Sequence, residues 1–395
     1  MLSKESLSAV IDSQREINAK QSPGIDRGKF HNINILEPSA LLFLGVRGAG
    51  KSSFLRQFLK VRFQNPLLLN MEDPRLAGFE KEDFLQLDRI LLGRDNEALA
   101  FDEIQVVEDW ESYIQKRADE SRSIFLAASS ASILKGKYLI KEVFPFSYGE
   151  FLELSHKAPS VESIEEYMET GGFPEYVSSR NEEVLHRIMD DILFKDIALR
   201  HGIKQYKFLY KLAIHLISNM GTYYSLHKLK NSIGISSIRS VADYVSYLED
   251  SYLLFSVAKY SDSIKKQIAN PRKIYCIDTG LARTLSLSSS QDLGDKLENL
   301  VYLHLRRSQK SVYYYSELFE CDFVVLNEDA PASVVQVCYN LDQANYVKKL
   351  KGLEAAMMDL NLSEGTIVTF DQEESIELKG GMVRAIPAWK YLLGG

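Results

Sequence analysis

The chain has 395 residues, 45% apolar and 26% charged, with a formal net charge of −7 at neutral pH. That length accommodates two or three domains with a core in each, and the composition excludes a disordered chain or a surface that coats nucleic acid throughout. No apolar run reaches the length of a membrane span, and Cys276, Cys321 and Cys338 lie too far apart for a zinc or dithiol motif, so a cytoplasmic protein in a reducing compartment is expected.

Residues 1–36 read as one short polar helix and a linker, "AKQSPGIDRGKFHN", without the apolar core of a signal peptide. From Ala40 short apolar strands alternate with helical stretches: "LLFLG", "PLLLN" (66–70), "ALAFD" (98–102), "SIFLAAS" (123–129) and "YLIKEV" (138–143). Such alternation predicts an α/β fold, a parallel sheet covered by helices on both faces. In the turn after the first strand, "GVRGAGKSSF", the spacing of Gly45, Gly50, Lys51 and Ser52 is that of a phosphate-binding loop. Gly45, Arg47, Gly48, Ala49, Gly50, Lys51, Ser52 and Ser53 are therefore the candidate ATP-binding residues. Glycines let successive N–H groups turn inward, the following helix adds its positive end, Lys51 reaches the β- and γ-phosphates, and Ser52 can bind Mg²⁺. "ALAFDEIQ" places Asp102 as the second Mg²⁺ ligand and Glu103 to orient and activate water. The next strand ends in "AASSA", where Ser129 or Ser130 either senses the γ-phosphate or caps the following helix. Lys51, Glu103 and Ser129 make up the expected catalytic set.

From "FPFSYGEFLEL" the pattern turns helical and stays so past residue 250. Between Ile203 and Lys273 eleven lysines and arginines accompany four acids, so this segment is +7 and the remainder −14. Residues 224–260 read as a helix, a turn at Gly234, a second helix and a strand. Ile238, Val241, Val245 and Leu248 form an inward stripe; Ser236, Arg239, Ser240 and Asp243 face outward. This is the outline of a winged helix. Its second helix could enter the major groove of double-stranded DNA, with Lys228, Lys230, Arg239, Lys265 and Lys266 on phosphates. A protein-docking module is the competing reading. A serine-rich break, "SLSSSQD" (286–292), leads to a last segment in which "SVYYYSE", "CDFVVLN", "ASVVQVCY" and "GTIVTF" read as strands.

"GVRGAGKSSFL", "NMEDPR", "AFDEIQ", "FLAASSASIL", "FPFSYGEFL", "GGFPEYV", "YLEDSYLL", "KIYCIDTGL", "ENLVYLHL" and "ECDFVV" resemble, in this order, one family. It is the prokaryotic AAA-type ATPases in which a C-terminal domain of unknown function follows the ATPase module. The likeness implies an ATPase core over 37–152, a helical lid over 153–202, the winged helix over 203–285 and a restriction-endonuclease-like domain over 286–395. The chain departs from the family twice. Gly136-Lys137 stands where the family has Gly-Arg, and a lysine lacks the planar fork of arginine, which predicts slow hydrolysis. Arg122, Lys137 and Arg200 are left as alternatives for the cation offered to the γ-phosphate. In the last domain the likeness implies an Asp and a Glu-x-Lys around a metal. Asp322 fits the first position and Glu298 lies on the preceding helix, but Gln336-Val337-Cys338 supplies neither charge; Lys348 and Lys349 follow on the next helix. A nuclease-shaped scaffold without cleavage is expected. The sequence thus describes an ATP-driven switch coupled to DNA, against an ATP-gated protein-interaction module or an ATP-controlled metal-dependent nuclease. No membrane partner is expected, and assembly into oligomers stays open.

Overall fold

The unbroken apolar runs of the first third become β1 (Ala40–Leu44), β2 (Pro66–Asn70), β3 (Ala98–Asp102) and β4 (Ile124–Ala128), joined by β5 (Tyr138–Glu142). The computed structural model describes residues 2–21, 24, 27, 40–92, 97–120, 123–131, 138–286, 293–308 and 311–394. They divide into two units, Met1–Val143 with Asp250–Tyr252, and Phe144–Glu249 with Leu253–Gly395. No described helix is long and apolar enough to cross a membrane.

In the first unit the strand order is β2-β3-β4-β1-β5, and every pairing is parallel. Such a sheet must be covered on both faces, which is why its strands lack an alternating polar set. Leu44 stands opposite Ala128 and Glu142, and Asn70 opposite Asp102, so the strands end together along one edge. Between them run α1 (Lys4–Lys20), α2 (Lys51–Arg62), α3 (Asp83–Leu91) and α4 (Trp110–Asp119). Aromatic rings lock α2 onto the sheet and α3 onto α4. Phe43 of β1 meets Phe54 and Phe58 of α2 edge-on at 4.8 and 5.5 Å, and Phe84 of α3 stacks on Tyr113 of α4 at 4.2 Å. Each fully buried ring of this kind contributes roughly 2–3 kcal/mol by area.

The second unit opens with α5 (Tyr148–Ser155), α6 (Val161–Thr170), α7 (Pro174–Ser179) and α8 (Glu183–Asp191), continued by a π-helical turn over Ile192–Leu199. Next come α9 (Tyr206–Ser218), β6 (Tyr223–Tyr224), α10 (Leu226–Ile233), α11 (Ile238–Asp250), β7 (Leu254–Val257), α12 (Ile264–Ala269) and β8 (Arg272–Cys276). The three strands form a small sheet in the order β6-β8-β7. Gly234 ends α10 at φ +81°, the left-handed cap that lets α11 turn away. Of the inward stripe, Val241, Val245 and Leu248 are buried and Ile238 is half-buried; Arg239 and Ser236 are exposed.

After α13 (Thr279–Leu285) and α14 (Leu293–Arg307) a six-stranded sheet follows, with α15 (Gln343–Asp359) and α16 (Ala388–Tyr391). Its strands are β9 (Ser311–Ser316), β10 (Glu320–Asn327), β11 (Ala330–Cys338), β12 (Glu364–Thr369), β13 (Glu374–Leu378) and β14 (Gly381–Pro387), in the order β13-β14-β12-β11-β10-β9. Val324, Val334, Ile367 and Val383 pack with Leu353 and Met357 of α15 into its core. The four strands read from the sequence are present; β13 and β14 are additional. The serine-rich break, from residue 287 to residue 292, and most of the linker between residues 22 and 36 lie outside the described residues.

Candidate nucleotide site and a second polar cluster

The turn after β1 is shaped by glycine where glycine is required. Gly48 and Gly50 sit at φ +82° and +89°, and a Cβ on Gly45 would lie 2.0 Å from the Val143 carbonyl oxygen. α2 then begins at Lys51, so the loop's N–H groups and the helix end share one concavity. Lys51 is buried, its Nζ donating to the Val46 carbonyl at 3.1 Å and standing 3.7 Å from Glu103 Oε1. Arg47 leaves the loop in a two-pronged pair with Glu72, at 2.6 and 3.0 Å. Gly45 and Ala49 are buried, while Ser52 and Ser53 are half-buried at the start of α2.

Asp102 closes β3 beside Ser52, whose hydroxyl hydrogen-bonds its carboxylate. Burial, and then the neighbouring Glu103, push Asp102 up to about 6 against the pull of Ser52, Lys51 and Arg56. Its Oδ1 is buried with no hydrogen-bond partner. A buried carboxylate oxygen of that kind beside a serine hydroxyl fits a divalent cation. Glu103 adopts a left-handed backbone, φ +52°, that turns its side chain back over the site. Burial alone would raise its pKa, but Lys51, Arg47 and hydrogen bonds with Gln105 and Ser129 outweigh that and hold it below the ordinary carboxylate range.

Gln105 closes the motif "AFDEIQ", but the sequence assigned it no role. Its Nε2 donates both to Glu103 and to Ser129 Oγ, the latter at 3.0 Å, so one amide bridges the expected base and the expected sensor. Ser129 is fully buried at the end of β4. The helix α1 also belongs here. Gln14 donates to the Asn70 carbonyl at 3.1 Å and to Asp73 at 3.0 Å, and accepts from Asn70 N–H at 2.7 Å. A cleft of about 360 Å³ runs between α1 and the loop, lined by Gln14, Asn18, Ser52, Arg56, Asn70 and Asp102 among others. Leu7, Val10 and Ile11 are buried beside Gln14, so apolar packing and amide hydrogen bonds together seat α1. Arg122 and Lys137 lie outside the described residues, and Arg200 follows the π-helical turn in the second unit.

In the second unit Lys228, Arg239, Lys265 and Lys266 are exposed and Lys230 half-buried. Two other members of the basic segment are not free for a partner. Lys259 pairs with Glu317 at 2.8 Å, and Lys273 is 3% exposed among Glu298, Glu320 and Asp322. Glu298, pushed up to about 7 by burial and then by Asp322, also accepts from the Tyr275 hydroxyl at 2.7 Å. Lys349, on α15, reaches Asp322 Oδ2 at 3.1 Å, while Lys348 is exposed. Gln336 donates to Asp322, and Cys338 is a buried thiol.

Residues 37–152 match the family model described as an AAA domain, and residues 161–292 match one described as a domain of unknown function. An uncharacterized protein of Methanocaldococcus jannaschii is 29% identical over 401 residues, spanning 91% of this chain and 90% of its own length. An uncharacterized protein of Haemophilus influenzae is 27% identical over 329 residues, 76% of this chain and 82% of its own. Among solved structures, the Walker-type ATPase paby2304 of Pyrococcus abyssi superposes with a TM-score of 0.40 at 15% identity, covering 72% of this chain and 96% of that one. The Thermotoga maritima RuvB Holliday junction branch migration motor gives 0.31 at 15%, over 64% and 87%. Scores this low carry no functional argument. By the family match, residues 37–152 are similar to an AAA domain.

Proposed function

We propose that the chain binds Mg²⁺-ATP at the turn after β1, hydrolyses it, and uses the cycle to switch its grip on duplex DNA. The observation that carries the ATPase reading is the convergence of Lys51, the Ser52–Asp102 pair and the Glu103–Gln105–Ser129 chain at one edge of the parallel sheet. Ser52 and Asp102 would hold Mg²⁺, which draws charge from the phosphate oxygens as the terminal bond breaks. Gly48, Ala49 and Gly50 would offer backbone N–H groups to the phosphates, alongside Arg47 and Ser53. Lys51 must exchange the Val46 carbonyl and Glu103 for phosphate oxygens, and that exchange frees Glu103 to orient water. Ser129, on the same amide as Glu103, is placed to register the γ-phosphate.

The DNA half of the proposal is supported by the element order α9-β6-α10-α11-β7-α12-β8 with sheet order β6-β8-β7, the outline of a winged helix over 203–285, and by the exposed cations of α10, α11 and α12. The helices of 153–202 would act as the lid, and the segment 286–395 as a nuclease-like scaffold without cleavage. A second reading, a protein partner, is favoured by Ile264 and Ile268, which are 72% and 70% exposed on the short helix that carries Lys265 and Lys266. One experiment separates the readings: ATP turnover of the full chain with and without duplex DNA, single-stranded DNA and RNA. Duplex-stimulated turnover supports the proposal. Turnover indifferent to nucleic acid leaves the protein-interaction switch, and absence of both binding and turnover removes the ATPase reading.

A further inference from the structure

The family likeness implies a divalent metal at Asp322, and the residues around Asp322 do not fit one. Lys273 Nζ lies 3.1 Å from Glu298 Oε1, 2.8 Å from Glu320 Oε1 and 3.2 Å from Asp322 Oδ1. An ammonium has three N–H donors, and here they meet three carboxylates from two elements, α14 and β10. The separations suit N–H···O bonds; Mg²⁺ and Ca²⁺ would hold oxygens at roughly 2.0–2.6 Å. Asp322 is already held by four donors. Its Oδ1 takes Lys273, while its Oδ2 takes the Gln336 amide, the Val337 N–H at 2.9 Å and Lys349 at 3.1 Å. Oδ2 is thereby fully used, and Oδ1 is shared with the lysine ammonium. Gln336 itself argues the same way. An amide that points its NH₂ at Asp322 is a partner for an anion and not a second metal ligand. Its other end, Oε1, is buried without a hydrogen-bond partner.

We propose that Lys273 is the resident cation of this cluster, standing where a divalent ion would otherwise bind, so that the six-stranded domain holds no metal at Asp322 and carries a cation site that opens only when the lysine is withdrawn. Lys273 comes from β8 of the small sheet, whereas Glu320, Asp322 and Gln336 come from β10 and β11. The same contact therefore joins the small sheet to the large one. Lys273 and Lys349 thus meet Glu298, Glu320 and Asp322 in one cluster. Removing Lys273 would leave two buried carboxylates, Glu298 and Asp322, and the partly exposed Glu320 around a vacancy, an environment that a small divalent cation satisfies.

The test uses the full chain without nucleotide, with Mn²⁺ as probe, read by electron paramagnetic resonance and by Tm. Wild type should bind no Mn²⁺ that Asp322→Asn abolishes. Lys273→Met keeps the stem and deletes the charge; it should melt lower than wild type, bind Mn²⁺ saturably and recover several degrees with it, and Asp322→Asn added to it should abolish the response. Asp322-dependent Mn²⁺ binding by wild type overturns the proposal, as does Asp322-dependent nicking of plasmid DNA. A folded Lys273→Met that ignores Mn²⁺ overturns it equally. If Lys273→Met does not fold, Lys273→Arg carries the test: it keeps a cation, must remain blind to Mn²⁺, and overturns the proposal if it binds the ion through Asp322.

Discussion

Lys51 is held by the Val46 carbonyl and stands 3.7 Å from Glu103, so its positive charge already serves the loop and the base before any phosphate arrives. Lys51→Ala should weaken ATP binding by about 1–3 kcal/mol, measured by titration with a fluorescent nucleotide. Glu103→Gln keeps the volume and removes the base: nucleotide affinity should survive while kcat falls about a hundredfold or more. The pH profile gives a finer check. Because Glu103 is held below the ordinary carboxylate range, the base is ionised at neutral pH, and kcat should fall only on the acid side. Gln105→Ala removes one donor from the Glu103 carboxylate, which raises that pKa and moves the acid limb to higher pH. Turnover at pH about 5 should therefore drop further than turnover at pH 8, with ATP affinity little changed. A uniform loss across the pH range would assign Gln105 a purely structural part. Lys51, Asp102 and Glu103 could be read from the sequence because loop spacing and strand ends fix them. Gln105 could not, since its role depends on where β4 lies beside β3.

At the scale of elements, the strands of the parallel sheet were legible because burial on both faces leaves unbroken apolar runs, and β9 to β12 were legible as well. β6 has only two residues, and β13 is exposed along much of its length, so neither leaves a pattern to find. The helix α1 was expected, but not its seat: Gln14 and Asn18 hold the backbone of β2. Gln14→Ala should remove three hydrogen bonds around Asn70 and Asp73 and cost about 1–3 kcal/mol. Hydrogen exchange should show α1 opening while α2 remains protected. Gly45→Ala is the sharper disruption, because a backbone carbonyl 2.0 Å from the new Cβ cannot rotate away. The variant should lose nucleotide binding and several degrees of Tm together.

For the molecule as a whole, charge is the property the sequence conveyed least faithfully. The segment that sums to +7 includes Lys259 and Lys273, both turned to carboxylates, which leaves nine of its eleven cations. A one-dimensional count cannot see that Lys273 on β8 faces Asp322 on β10, forty-nine residues later. The remaining cations still suffice for the DNA proposal. With four or five phosphate contacts, affinity should fall with salt at a log–log slope of about −4. Arg239→Ala should weaken binding, and Lys265→Ala should do so with little change in sequence preference. A flat response to Lys228, Arg239 and Lys265 substitutions would turn the surface over to a protein partner.

The turn at Gly171 and Gly172 sets an order of events during synthesis. Gly172 N–H is met by Asp278 Oδ2 at 2.6 Å, 106 residues downstream; Glu169 waits 127 residues for Lys296, and the Pro145 carbonyl 162 for Arg307. A ribosome adding about 5–20 residues per second needs on the order of 5–20 s to deliver Asp278 after Gly172. Through that interval α6 stands without α13, α14 and α16, which pack on it in the finished fold. The nascent chain is thus most exposed to aggregation and to chaperones in its middle, and a message truncated before Asp278 would release helices with no means of closing.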